Sequence, residues 1–320
     1  MQKKNKFTDA DYRLMKYLCE LDQSALHNLL FQYLKKYYKE PVSTTQYIYA
    51  EGNIPVALVA HLDTVFEKLP ALIFYDSGNQ VMWSPNGMGA DDRAGVFAII
   101  KIISHGFRPH IIFTHDEEMG GIGASELSKC PMPFDDLRYI IELDRQGMDD
   151  CVFYDCANDD FEEYVEGFGF KTARGSFTDI SFLCPKWEIA GVNLSVGYVN
   201  EHTPLEHLFC DFLMETVYKV ENMLSEDAIP HFKYISCSYD YYQFKNHPCE
   251  CCHKVISEMD GCIIKDERST HFYCDDCLDK MNWCEKCGAP YLYDAENPDS
   301  NTLYCPNCYE WLASGGPYVY

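Results

Sequence analysis

The 320-residue chain has no apolar run long enough to span a bilayer, and its opening stretch, MQKKNKFTDADYRLMKY, has no hydrophobic core of the kind a secretory signal needs. Both absences lead us to expect a cytoplasmic protein without a membrane partner. Basic residues are scarce, 26 against 50 acidic ones, for a formal net charge of −24. That field repels phosphate backbones and anionic lipid, so no nucleic-acid partner is expected, and cations, metals included, are favoured. The first 224 residues contain no internal repeat or low-complexity tract, which argues against a repeat architecture. Cysteine, by contrast, is abundant: there are 17, ten of them between residues 249 and 308. In a reducing compartment such crowding points to metal ligation and buried thiols more than to disulfides.

Apolar spacing predicts amphipathic helices over residues 8–20 and 22–39. PVALVAHLDTV is a continuous apolar run ending in polar residues, as in a strand buried on both faces. ADDRAGVFAIIKII then reads as a helix with acids at its start, HIIFTHDEE as a strand, GASELSK as a helix and LRYIIELD as a strand. A short strand CVFYD, a helix near FEEYVEGFG, a turn RGSFTDIS, a strand AGVNLSVGY and a long helix from about Glu206 to Leu224 complete the series. The alternation predicts an α/β domain with a mixed, largely parallel sheet and helices on both faces, whose ligand sites lie at the carboxyl ends of the strands. Periodicity fades over roughly 225–247, giving expected limits of 1–228 for a catalytic domain, 229–247 for a linker and 248–320 for a cysteine-rich domain.

Polar stations fall where those strands end. HLDTV supplies His61 and Asp63, GMGADDRAGV supplies Asp91 and Asp92, HDEE supplies Glu117 and Glu118, IELD ends in Asp144, and VGYVNEHTP leads to His202. Taken singly, each is an ordinary hydrogen-bonded strand end, helix cap or solvated acid. Together they form a nitrogen and oxygen donor set suited to two zinc ions.

In order and local wording these stretches resemble the co-catalytic di-zinc exopeptidase superfamily, which includes aminoacylase, peptidase T and the single-domain zinc aminopeptidases. The resemblance covers roughly residues 55–205. It implies that Asp91 bridges both metals, that His61 and Asp144 complete one site, and that Glu118 and His202 complete the other. It further implies Glu117 as the catalytic base, Asp63 as the partner of the other His61 nitrogen, and a cis bond between Asp91 and Asp92. Two zinc ions about 3.5–4 Å apart acidify a bridging water and polarise a scissile carbonyl. Glu117 is then expected to take the water's proton and deliver it to the leaving amine.

The chain departs from that pattern in places. Only 57 residues separate Asp144 from His202, too few for the dimerising lid of the aminoacylase-type members, and Arg93 stands where lid-bearing members usually have Lys. Tyr198 and Thr178 are candidate oxyanion donors, and Asp179 reads as a supporting or capping residue.

Cys249, Cys252, Cys274 and Cys277 form C-x2-C-x21-C-x2-C, and Cys284, Cys287, Cys305 and Cys308 form C-x2-C-x17-C-x2-C. Such paired knuckles predict two structural zinc ions, read here as sequential ribbons, with Cys251, His253 and His271 as less favoured substitutes. Residues 248–320 hold 13 acids against 5 bases, which disfavours phosphate and favours a protein contact, an active-site cap or oligomerisation. The expected activity is zinc-dependent amide hydrolysis, on a short peptide as an aminopeptidase-type exopeptidase or on an N-acyl amino acid as a deacylase. Arg145 and Arg174 are the cations at hand for a substrate carboxylate. The competing expectation is an inactive hydrolase scaffold that works through its ribbons.

Overall fold

The structure, a computed structural model, describes residues 6–236 and, beyond them, 246–249, 251–257, 261–265, 270–274, 277, 281–284, 290–292, 303–304 and 308. The chain divides into two compact units, residues 1–237 and 238–320. The first runs α1 (Asp9–Cys19), α2 (Gln23–Leu34), β1 (Val42–Ser43), β2 (Tyr47–Ala50), β3 (Ile54–His61), β4 (Phe74–Asp76), β5 (Val81–Trp83), α3 (Ala90–Ser104), β6 (Pro109–Thr114) and α4 (Ile122–Ser128). It continues with β7 (Tyr139–Arg145), β8 (Asp150–Val152), α5 (Asp159–Glu166), β9 (Lys171–Thr172), α6 (Ile180–Trp187), β10 (Gly191–Ser195), β11 (Tyr198–Val199), β12 (His207–Phe209) and α7 (Cys210–Leu224).

The main sheet has eight strands in the order β1-β2-β6-β3-β7-β10-β8-β9. Its four central strands, β6, β3, β7 and β10, are mutually parallel, and antiparallel pairing begins at β2 and at β8. Strand β3 shows why the centre reads as an unbroken apolar run. Val56, Leu58 and Ala60 enter one core with residues of α1, α2, α3, α5 and α7, while Ala57 and Val59 enter a second core with α4 and α6. Successive residues of a pleated strand face opposite sides, so a strand covered on both has no polar phase. A second sheet, β11-β12-β5-β4, stands apart from the first.

Several boundaries differ from the sequence expectation. The second helix stops at Leu34 instead of continuing to residue 39, and the strand through HIIFT ends at Thr114, before the acids. The last helix begins at Cys210, because His207–Phe209 pair with Val81–Trp83 in the second sheet. Helix α6 was not expected, since Pro185 lies inside it and the segment before it reads as a turn. The expected linker starts too early: the Phe232 amide donates to the Arg138 carbonyl, and the Phe232 and Ile235 carbonyls accept from Ala190 and Ala157. Residues 229–236 therefore belong to the first unit, held by these main-chain bonds and by the buried Phe232 ring, which packs on Tyr139, Phe161 and Tyr164.

Among its described residues the second unit contains three antiparallel two-stranded ribbons, Asn246–Pro248 with Val255–Ser257, Gly261–Lys265 with Thr270–Cys274, and Met281–Trp283 with Pro290–Leu292. Its buried clusters among the described residues centre on cysteine: Cys249, Cys274 and Cys277 in one, Cys284 beside Tyr304 and Cys308 in the other.

Candidate metal centre

The carboxyl ends of β3 and β7 carry His61 and Asp144. The other donors do not sit on strands. Asp91 opens α3, Glu117 and Glu118 lie in the turn after β6, and His202 lies in the turn between β11 and β12. The reading of five strand ends thus becomes two strand ends, one helix start and two turns.

The fold gathers these residues nonetheless. His61 Nε2 is 3.0 Å from Asp91 Oδ1 and 3.3 Å from Asp144 Oδ1. His202 Nε2 is 3.1 Å from Asp91 Oδ2 and 3.0 Å from Glu118 Oε2. Asp91 therefore faces one histidine with each of its oxygens. The peptide bond joining it to Asp92 is cis, as the resemblance implies. Donor atoms of His61, Asp91 and Glu118 all lie within 4.8 Å of one another.

Asp63 organises two parts of this cluster at once. Its Oδ1 is 3.1 Å from His61 Nδ1, while its two oxygens accept the amides of Glu117 and Glu118 at 3.0 Å each. One side chain therefore sets the imidazole orientation and the path of the turn. Asp92 lies close enough to His61 and Asp144 to share an ion with them, but its oxygens accept the amides of His61 (3.2 Å) and Gly95 (2.9 Å), which makes it a support. Gly95 has to be glycine here, because a Cβ would lie 1.9 Å from the Leu143 carbonyl and 2.6 Å from the Asp92 carboxylate.

Tyr198 and Thr178 both direct their hydroxyls at Asp144, donating to Oδ1 and Oδ2 at 3.1 Å each. Both hydroxyls thereby support this carboxylate. Asp179 is fully buried at the start of α6, where its side chain makes no capping hydrogen bond; it accepts from Thr114 Oγ1 at the end of β6, so the supporting alternative describes it better. Arg174 holds Arg145 Nη2 through its carbonyl at 3.2 Å.

Some residues of the site carry no motif. Arg93 is 1% exposed and donates to the carbonyls of Leu18, Leu21, Leu62 and Asp63, tying the first two helices to the end of β3. Gln23 exchanges two hydrogen bonds with Asp116, at 2.9 and 3.2 Å, and His27 Nδ1 lies 2.8 Å from His115 Nε2. Helix α2 thus grips the turn just before Glu117. Glu206 caps the start of α3 from a distant part of the chain.

Crowded acids raise one another. Burial, then the neighbouring charge of Asp91, pushes Glu118 up to about 7 and Asp144 up to about 6. Burial, with the charges of Asp144, Asp179 and Glu118, pushes Glu117 up to about 9. Burial works against the His61 imidazolium, but the charge and hydrogen bond of Asp144 and the bonds from Asp63 and Asp91 outweigh it and raise its pKa. His202 is raised to about 9, chiefly by its hydrogen bond to Asp91. These shifts describe carboxylates that lack compensating positive charge.

The donor set fits divalent metal. Zinc bonds of about 2.0–2.1 Å to N and O give a tetrahedral edge of about 3.3 Å, close to the donor separations here. In the cysteine-rich unit, the sulfurs of Cys249, Cys252, Cys274 and Cys277 lie within 4.8 Å of one another, and Cys252 and Cys274 are 3.7 Å apart. A zinc–sulfur bond of about 2.3 Å gives an edge of about 3.8 Å. Burial opposes the Cys249 thiolate, but the amides of Cys252, Cys274 and Cys251 outweigh it and bring the thiol down to about 6. Cys284 and Cys308 share a cluster, while Cys287, Cys305 and the His271 side chain lie outside the described residues.

No family model and no curated protein matches the sequence. Solved structures do match. The chain is similar to the aminopeptidase PepT of Bacillus cereus, with 13% identity, TM-score 0.53, and coverage of 68% of this chain and 99% of that one. It is similar to a TET aminopeptidase from a marine sediment Thaumarchaeota archaeon, with 12% identity, TM-score 0.55, and coverage of 69% and 98%. It is also similar to a leucine aminopeptidase precursor of Bacteroides thetaiotaomicron, with 16% identity, TM-score 0.53, and coverage of 71% and 99%. This chain has the fold of these aminopeptidases, a mixed, largely parallel sheet with helices on both faces.

Proposed function

We propose that the chain is a metallopeptidase, a zinc-dependent exopeptidase of aminopeptidase type acting on short peptides. The observation that carries this reading is the division of Asp91 between two donor pairs, with His61 and Asp144 at one oxygen and His202 and Glu118 at the other. In this reading those five residues hold two zinc ions, with Asp91 shared. Bound there, the pair would supply an acidified water and a polarised amide carbonyl.

The protein's own groups do the rest. Asp63 accepts the Nδ1 proton of His61 and leaves the Nε2 lone pair facing the donor cluster. Tyr198 and Thr178 fix Asp144 through both of its oxygens. Glu117, in the same turn as Glu118 but with no metal role, takes a proton on its carboxylate and returns it to the amine that departs. Two nearby cations would lower its pKa from the raised value of about 9 towards the range a base at neutral pH needs.

The cysteine-rich unit is proposed to hold structural zinc, one ion on Cys249, Cys252, Cys274 and Cys277 and a second on Cys284, Cys287, Cys305 and Cys308, and to serve protein contact. The test is a screen of short peptides and N-acyl amino acids with Glu117→Gln beside the wild type. Peptide turnover that falls about 10²- to 10⁴-fold in the variant, at unchanged metal content, is expected. Equal rates in both proteins would remove Glu117 from its role, and cleavage of N-acyl amino acids alone would make the protein a deacylase.

A further inference from the structure

Helix α3 opens on a kink: Asp91 and Asp92 are non-helical, Asp92 Oδ1 caps the turn that follows by accepting the Gly95 amide at 2.9 Å, and the amides before it must find an acceptor elsewhere. Gly89, at the N-cap with φ 68°, has no side chain to accept the first amides. Glu206 does so instead. One of its oxygens accepts the amides of Met88 at 2.8 Å and Gly89 at 2.6 Å, and the other accepts the amide of Asp91 at 3.1 Å. The side chain is 1% exposed, and among the described residues no lysine, arginine or histidine forms an ion pair with it. A buried carboxylate needs such compensation, and here it comes from main-chain N–H groups and the positive end of a helix.

The position of Glu206 in the chain gives the contact a second consequence. Four residues earlier, His202 faces Asp91 Oδ2 at 3.1 Å. The segment from His202 to Glu206 therefore touches Asp91 twice, once at its side chain through the histidine and once at its backbone through the glutamate. His202 has φ 61° and a half-exposed side chain, so the turn alone holds it loosely. Glu206 is the buried end of that segment.

We infer that Glu206 is a positioning residue: by gripping the backbone of Asp91 it locks that aspartate and His202 into one spacing, so that both meet the same cation. The inference rests on the two-cation reading proposed above. A plain helix cap would contribute to stability and leave cation affinity alone. A positioning role predicts a loss of affinity confined to this centre.

The experiment titrates the full-length, metal-stripped chain with Co²⁺ and follows visible absorption. Thiolate charge-transfer bands report filling of the cysteine sites, and the ligand-field absorption gained without any growth of those bands reports the nitrogen and oxygen centre. Wild type should take up two ions at the nitrogen and oxygen centre. Glu206→Gln, which swaps an accepting oxygen for an NH₂ facing main-chain N–H groups, should bind the second of them about 10- to 100-fold more weakly, the range for partners that orient metal ligands. Its thiolate bands should not change. Glu206→Asp, which keeps the charge and shortens the reach, should fall between the two.

A folded Glu206→Gln that binds both ions as tightly as wild type would reduce Glu206 to a cap and overturn the inference, while the two-cation reading stood. A wild type with no cobalt in the nitrogen and oxygen centre would overturn both. Should the variants fail to fold, amide hydrogen exchange on wild type decides: cation loading should protect residues 88–91 and 202–206 in one step, and protection of one stretch without the other would overturn the inference.

Discussion

The two units treat candidate metal donors in opposite ways. In the first, an apolar core on each face of an eight-stranded sheet exists independently of any ion, and the donors are mounted at its edge. In the second, the buried clusters among the described residues are built from the cysteines themselves. A site mounted on a finished core can be tuned for chemistry, because the core supplies the stability. A site that is the core cannot be altered without altering the fold. The donor types follow that division, with oxygen and imidazole in the first unit and thiol sulfur in the second.

Stripping the metal should separate the units most sharply. Zinc coordination contributes on the order of 10–16 kcal/mol to small cysteine-ligated domains, more than such a domain retains without it. Treatment with a strong chelator is expected to abolish amide protection around Cys249–Cys277 while β3, β6, β7 and β10 stay protected, as read by hydrogen exchange. Collapse of both units together would break the comparison. Next in size is Glu117→Gln, with its loss of about 10² to 10⁴ in turnover and no change in melting beyond a degree or two.

The pH dependence of the metal-free first unit sharpens the same contrast. Asp144 is raised from 3.8 to about 6, Asp179 from 3.8 to about 7, Glu118 from 4.5 to about 7 and Glu117 from 4.5 to about 9. Between the ordinary and the raised values the folded state holds protons that the unfolded chain has released, so unfolding free energy falls as pH rises. His202, raised from 6.5 to about 9, acts in the same direction. The stripped protein should therefore melt at a higher temperature at pH 5.5 than at pH 8.5. Metal binding requires ionised carboxylates and neutral imidazole, so the loaded protein should show the reverse order. Equal slopes with and without metal would show that Glu118 and Asp144 do not meet the ion.

How much of this was legible in the sequence depends on how local the signal is. The strand runs and the ligand stations are short, and the chemistry of His61, Asp91, Glu117, Glu118, Asp144 and His202 shows in the residue types. The first helices read correctly as amphipathic, but nothing in QSALHNLL announces that Gln23 and His27 reach across to Asp116 and His115. Glu206 was read as the start of a helix, whereas it caps another helix 115 positions upstream in the chain. Residues 229–236 read as linker because they form no helix or strand: main-chain hydrogen bonds and one buried ring, Phe232, hold them. Interactions made across long sequence separations through backbone groups leave no periodicity to read.

The smallest expected effect tests whether support for a donor can be told from the donor itself. Tyr198→Phe removes one hydroxyl and leaves the ring, which is 2% exposed and part of the core. The lost bond, 3.1 Å to Asp144 Oδ1, is charge-assisted and worth about 1.5–3 kcal/mol at most. Thr178 still holds the other oxygen, so part of that loss should be recovered. A fall of about tenfold in affinity for one ion, read by calorimetry, is therefore expected. Thr178→Val should give a similar loss, and the double variant should lose more than the sum of the two, because each hydroxyl covers for the other. Strict additivity would mean that Asp144 is fixed by its backbone, where the amide donates to Asn193 at 2.9 Å, and that the hydroxyls merely fill space.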